Sequence, residues 1–387
     1  MWVPIANNLV CIAVLVGFAS VEPNPSLSAA QANSSHLLLL GLGTTAGVAV
    51  QALLLVPFLW RAKLKHLWVR FEPRDAAVKM VLRLGGWTFG LVLANQVALF
   101  VMAALAFGLG GTGQFSAYSY AWIFLQTPYA IVAISVMSAV TPDLSARWSR
   151  GDLDGYRARF SSGLRAVLRI ILPAAVLMFV LARPAMVLLL GRGAADPAEL
   201  RGAGAALAAF ALGLPGFSVF QFVVRALQTM LRQRVAFFLY LLENLANVAL
   251  GVLLYKPLGV GGLALSVSIA YSLAAVAGLV LLRQWLGRFA APGQWRPLAS
   301  VGLASITMGL FALVAVNVST TETAVGLALR CGFALVMGAV GYVLAMAVLR
   351  RVLPKKPSGQ PSRGGRGKLQ ATQDLGRAHG TNEDRHR

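Results

Sequence analysis

A chain of 387 residues that is 58% hydrophobic and 12% charged, with a mean hydropathy of +0.71, cannot hide its apolar side chains inside one soluble core. Its 34 Lys and Arg outnumber 13 Asp and Glu, giving a net charge of +21. The bases stand between apolar runs, however, and no soluble stretch interleaves them with aromatic residues as a nucleic-acid surface would. All four histidines, His36, His66, His379 and His386, fall outside the apolar runs. With no metal-ligand spacing and no glycine-rich phosphate loop, hydrolytic or ATP-driven chemistry is not expected.

Ten runs, at about 2-19, 37-59, 80-107, 115-141, 163-190, 203-230, 235-254, 259-282, 298-318 and 324-349, are each long enough to cross a hydrocarbon layer of roughly 30 Å as a helix. The expected fold class is an all-α polytopic membrane protein. Placing the N-terminus in the cytoplasm puts 29 of the 34 bases on the inner side, whereas Glu22 to His36 and Asn317 to Thr323 carry none. Both termini are therefore expected to be cytoplasmic, with anionic lipid headgroups as partners. Between Arg61 and Lys79, bases mix with Trp68 and Phe71 just after Trp60, which suits an interfacial amphipathic piece or a solvated connector equally. Beyond Pro354 large apolar residues give way to Pro, Gly, Ser, Arg and Lys, so 355-387 reads as a disordered basic tail. Cys11 and Cys331 lie in apolar runs near opposite faces and are expected to stay unbridged.

Charges at membrane depth mark functional candidates. Glu243 lies about nine residues into the seventh run, roughly 14 Å deep, and must be protonated, paired or bound to a cation. Asn247 is one turn further on the same face, while Asn244 is turned about 100° away. Oxygen ligands suit hard cations. With Asn95 or Gln96 on the third run and Ser266 or Ser268 on the eighth, Glu243 and Asn247 would form a cation site. An ion pair with Arg225 or Arg83, or a protonated and hydrogen-bonded core glutamate, are the alternatives. A guanidinium can hold two phosphate oxygens at once, which makes Arg225 and Arg83, and after them Arg165 and Arg169, candidate diphosphate contacts as well as ordinary positive-inside anchors. Tyr118, Tyr120, Trp122 and Gln126 set rings and an amide in the outer half of the fourth run, for stacking a sugar or forming an interfacial belt. Pro128, Pro142, Pro173, Pro184 and Pro215 bend or interrupt runs four to six. Gly213, Pro215 and Gly216 form the expected hinge.

The chain also resembles itself. ANNLVCIA, Ala6 to Ala13, is similar to LENLANVA, Leu242 to Ala249. The run after each opens with Gly-Leu, at Gly41-Leu42 and Gly262-Leu263, and ends at an arginine, Arg61 and Arg283. A six-helix unit repeated in parallel makes runs one and two the last members of the first unit. On that reading four helices are missing before Met1.

PIANNLV at Pro4 to Val10, FALGLPGFSVFQFVVRAL at Phe210 to Leu227 and LLENLANVALGVLL at Leu241 to Leu254 resemble the MurJ/MviN lipid II flippases. These belong to the multidrug/oligosaccharidyl-lipid/polysaccharide exporter superfamily. YAWIFLQTPYAIVAISVMSAVTPDLS, Tyr120 to Ser145, is similar to the actinobacterial branch. The resemblance covers about Pro4 to Pro354, as the family's helices five to fourteen. It implies a partial two-lobed exporter fold with two additional C-terminal helices: 1-60 as the end of an incomplete N-lobe, 61-79 as a basic cytoplasmic connector, 80-283 as a six-helix C-lobe and 295-354 as the appended pair.

It further implies translocation of a lipid-linked peptidoglycan precursor across the bacterial cytoplasmic membrane by alternating access. No enzyme activity or cofactor is implied. Sodium or proton coupling is the expectation from the residues around Glu243, and the expected partners are membrane lipids, the lipid-linked glycan and cell-wall synthesis proteins. Some members use a sodium site on the helices that correspond to runs three, seven and eight. The family's arginines on its first two helices have no counterpart here, and the one on its eighth helix falls at about Ile123. Its Asp-Thr-Arg-Thr-Pro turn reads Arg232-Gln233-Arg234-Val235-Ala236. A polysaccharide-unit or drug exporter of the same superfamily, or a non-transporting scaffold for cell-wall enzymes, are the alternative functions.

Overall fold

Within a bilayer no water reaches a backbone amide, so an apolar run must satisfy its own N–H and C=O groups as a helix. The computed structural model describes residues 3–21, 33–61, 76–110, 113–191, 197–289, 296–318 and 323–352, and all ten expected runs are helical in it. Residues 62–75 and 353–387, with the expected interfacial piece and basic tail, lie outside the described residues. The chain divides into two compact units, Met1–Lys79 and Met80–Arg387. In the first, α1 (Val3–Val21) lies along α2 (Ser34–Arg61), with Val14 against Gly43 and Asn7 beside Gly47. Small residues of this kind let two helix backbones approach closely.

In the second unit α3 (Ala76–Phe107) is followed by α4 (Gln114–Pro128), a π-helical turn (Tyr129–Ile134) and α5 (Ser135–Ser149). Pro128 has no N–H to give its helix, and the ladder is re-formed by a π turn immediately after it. Pro142, Pro173, Pro184 and Pro215 lie inside helices that continue past them.

The next helix, α6 (Leu153–Leu190), starts at Leu153 rather than near 163, and α5 ends at Ser149 rather than near 141. Hydropathy misses both extensions because they are amphipathic. Tyr156 and Phe160 are fully buried, while Arg147 bridges Asp143 and Asp152 and Arg159 reaches Asp143. Asp152 caps the helix by accepting from the Gly155 amide at 2.8 Å. The arginines expected in a second inner loop thus stand mostly on two helix ends joined by a tight turn.

The helix α7 (Pro197–Thr229) is the most enclosed of the membrane-spanning candidates and packs against α4, α6 and α8. The two arms of α8 (Gln233–Leu286) are broken at Gly259, whose φ of 57° and ψ of −139° only glycine adopts readily. The hairpin of α9 (Arg296–Asn317) and α10 (Ala324–Val352) lies on α6 through Leu181, Ala312, Ala315, Val316 and Ala334. Arg330 of α10 donates twice to the Val316 carbonyl, at 3.1 and 2.6 Å, satisfying a C-terminal acceptor of α9. Large apolar residues such as Phe100, Leu253, Val314 and Leu329 remain outside this core, each about 70% exposed. A monomeric soluble protein rarely tolerates such a surface, and a bilayer requires it. Cys11 and Cys331 are free thiols.

Candidate functional site

Glu243 stands ten residues into α8, about 15 Å along its axis from Gln233. It is 2% exposed, and its Oε2 has no hydrogen-bond partner. Tyr118 of α4 and Tyr240 and Tyr271 of α8 lie within electrostatic reach of the carboxyl group. These rings belong to one connected aromatic wall. Phe210 of α7 meets Tyr118 and Trp122 at 5.4 Å, Phe217 meets Tyr271 at 4.8 Å and Tyr129 at 4.6 Å, and Phe220 meets Tyr240 at 4.8 Å. Such surroundings are dry and weakly polarisable, so any charge that accompanies Glu243 acts on it more strongly than in water.

Two hydrogen-bonded chains flank the carboxyl group. Asn244 donates to Asn95 of α3 and to the Tyr240 carbonyl, each at 2.8 Å. The Ser266 hydroxyl shares its one proton between the Asn247 side-chain oxygen at 2.9 Å and the Leu263 carbonyl at 2.7 Å, linking the two arms of α8. The residues expected around Glu243 are therefore only partly assembled. Asn247 and Ser266 are joined and share its helix face or the facing arm. Asn95 is committed to Asn244, Ser268 donates to the Ala209 carbonyl of α7 at 2.8 Å, and Gln96 is exposed.

Asn244, turned away from Glu243 as the helix geometry requires, emerges as the link to α3. A polar pair at this depth, Asn95 with Asn244, is the signal by which it is found. The cross-helix bond leads to a prediction: a double-mutant cycle of Asn95→Ala and Asn244→Ala, read by thermal unfolding, is expected to give a coupling of about 0.6 kcal/mol, the average for such bonds in membranes, and no more than about 1.7 kcal/mol. Zero coupling would mean that the pair does not hold α3 to α8.

Glu243 makes no ion pair among the described residues, so the structure joins it to neither Arg225 nor Arg83. Arg225 is exposed near the C-terminal end of α7, donates to Gln228 at 3.3 Å, and lies within electrostatic reach of Tyr129 and Tyr240. Arg83 and Arg169 are exposed, and Arg165 donates to Ser161. Of the aromatic and amide candidates for a sugar, Tyr118 is buried and Trp122 packs into the same wall, whereas Tyr120 and Gln126 are exposed. The helix continues through Gly213, Pro215 and Gly216. There the glycines admit α8: a methyl group on Gly213 would overlap Ser268, and one on Gly216 would lie 2.9 Å from the Ser272 Cα.

Among the described residues no three His, Cys, Asp or Glu side chains converge. One carboxylate, with the amide oxygen of Asn247 a turn away, suits a single positive charge, a sodium ion or a proton, rather than a divalent ion held by several carboxylates.

The sequence matches the family profile for lipid II flippase MurJ over residues 1–336. It is 26% identical to a probable lipid II flippase MurJ of Thermotoga maritima over 272 residues, covering 70% of this chain and 53% of that protein. A Vibrio cholerae protein of the same description is 26% identical over 249 residues, 64% of this chain and 46% of that one. The chain spans about half the length of the curated relatives it matches. Among solved structures, a lipid II flippase MurJ in an inward closed conformation superposes with a TM-score of 0.66 at 18% identity, covering 91% of this chain and 67% of that one. A MATE transporter in a straight conformation gives 0.53 at 15% identity, covering 66% and 57%. These two likenesses establish the exporter fold.

Proposed function

The chain belongs to the lipid II flippase MurJ family, and from that premise we propose that it moves a lipid-linked peptidoglycan precursor across the bacterial cytoplasmic membrane by alternating access. The observation that carries the proposal is the family match over residues 1–336, supported by helices of membrane-crossing length and composition. The protein acts as a transporter and not as an enzyme. Both termini face the cytoplasm, because that placement puts 29 of 34 bases on the inner side.

The chemistry of such a step needs a place for the precursor's diphosphate and a device that couples opening to an ion or to the substrate itself. Exposed Arg225, with Gln228 beside it, offers a bidentate donor to phosphate oxygens, and Arg83 offers a second. Tyr120 and Gln126 present an aromatic face and an amide to the sugar. Glu243 takes up a sodium ion or a proton with Asn247 and Ser266, so that occupation of a site inside the α3–α8 wall changes how those helices pack. Rocking of α7 about Gly213, Pro215 and Gly216 against the second arm of α8 is the motion this wall would bias.

The proposal is tested by depleting the resident flippase of a bacterium while expressing this chain. Rescue of growth and shape is expected. Failure to rescue by a chain that is present in the membrane and co-purifies with cell-wall enzymes would favour a scaffold, and loss of drug accumulation without rescue would favour a drug exporter.

A further inference from the structure

One apolar groove, of about 390 Å³, runs between the two arms of α8 near the end where the helix begins and finishes. Phe238, Leu239 and Leu242 line one side, and Ala277, Val280 and Leu281 the other. Along the first arm the lining spans residues 235 to 242, about 10 Å of helix, which is two thirds of the roughly 15 Å depth of one hydrocarbon leaflet.

Cations held by aromatic rings stand at its rim. The Arg232 guanidinium lies 4.3 Å over the Trp285 ring. Arg234 lies 5.7 Å from the ring of Trp87 on α3 and 5.8 Å from that of Phe238, which also lines the groove. Arg232, Arg234 and the nearby Arg283 are all exposed. None forms an ion pair among the described residues, and the only acid between residues 200 and 321 is Glu243, buried in the first arm. A guanidinium stacked on a ring keeps its N–H edge free for an oxyanion, and stacking fixes where that edge points.

An apolar slot about 10 Å long that opens near two exposed guanidinium groups with no ion pair among the described residues complements an anionic amphiphile. We propose that this groove binds an anionic phospholipid from the leaflet at that end, with its phosphate held by Arg232 and Arg234 and one acyl chain laid along Phe238, Leu242 and Val280. The site rests on the membrane-spanning reading of the chain and not on its transport activity. An acyl chain gains little by leaving other lipid tails, so selectivity comes from the headgroup and the groove fixes the position. The lipid bridges the α3–α8 contact at Trp87, Arg234 and Phe238, and its occupancy is therefore linked to the stability of that contact.

The test is native mass spectrometry of the full chain in detergent, titrated with phosphatidylglycerol or with phosphatidylcholine of the same chains. Wild type is expected to prefer phosphatidylglycerol by tenfold or more. Arg232→Gln or Arg234→Gln alone should weaken its binding roughly fivefold, and the double variant roughly thirtyfold, from about 1 kcal/mol per base near an anionic surface. Both arginines are exposed, so these variants keep the fold. Ala277→Trp, which fills the groove, should displace the lipid while leaving both arginines in place. Equal affinity for the two lipids, or an unchanged preference in the double variant, would overturn the proposal. So would competition by glycerol phosphate as strong as that by the intact lipid, since that would reduce the site to a phosphate contact without the groove.

Discussion

Glu243→Gln is expected to leave the protein folded and to remove its stabilisation by sodium. In wild type the thermal midpoint should keep rising with the logarithm of sodium concentration above the dissociation constant, because an ion that binds only the folded state adds about 2.7 kcal/mol at a hundred times its dissociation constant and about 4.1 kcal/mol at a thousand times. Glutamine has almost the same shape and ends the cost of burying a carboxylate whose Oε2 has no partner. The variant should therefore be at least as stable as wild type in sodium-free buffer, with a flat response as sodium is added. A wild-type midpoint that ignores sodium would eliminate the sodium site and leave proton occupancy of the same carboxyl. A sodium response that persists in the variant would move the site away from Glu243.

The second large effect lies where α7 meets the second arm of α8. Gly213→Val places a branched side chain where Ser268 already touches the α7 backbone, and the Ser268 Cα leaves only 2.5 Å even for a methyl group. The clash involves backbone, so a rotamer change cannot relieve it. The helices must separate, and the bond from Ser268 to the Ala209 carbonyl goes with them. Overpacking of this kind costs about 1–3 kcal/mol or more, and Gly213→Val is expected to lower the thermal midpoint and the yield of folded protein. Gly302→Val, at a glycine with open space on its helix, is the matched control and should change neither. If the two variants behaved alike, Gly213 would not be a packing position, and only its expected role as a hinge would remain.

Most of the helical layout was legible because membrane helices announce themselves by composition. A run such as 259-282 has nowhere else to go in water, and Gly259 marks its start as the sequence suggested. The misplaced ends of α5 and α6 show the limit of that signal. There the helix is held by Tyr156, Phe160 and an Asp–Arg network instead of by uniform hydropathy.

The site was legible to one face and no further. Helical periodicity correctly separates Asn244 from Glu243 and Asn247, but it does not say which neighbouring helix stands opposite each face. That is why Asn95 was expected at the carboxyl group and is found on Asn244. The same blindness applies to Tyr118 and Trp122. A ring at a given depth in a helix serves equally as an interfacial belt or as core, and only Phe210 and Phe217 of α7 decide for core.

Transport is tested most directly by where the precursor goes. In cells whose own flippase has been depleted and which express this chain, lipid-linked precursor at the outer leaflet can be counted by cleavage with an added hydrolase that cannot cross the membrane. Cleavable precursor is expected to return with the wild-type chain and to fall in Arg225→Ala. Precursor that stays inaccessible while the wild-type chain is folded and present in the membrane would contradict transport by this chain.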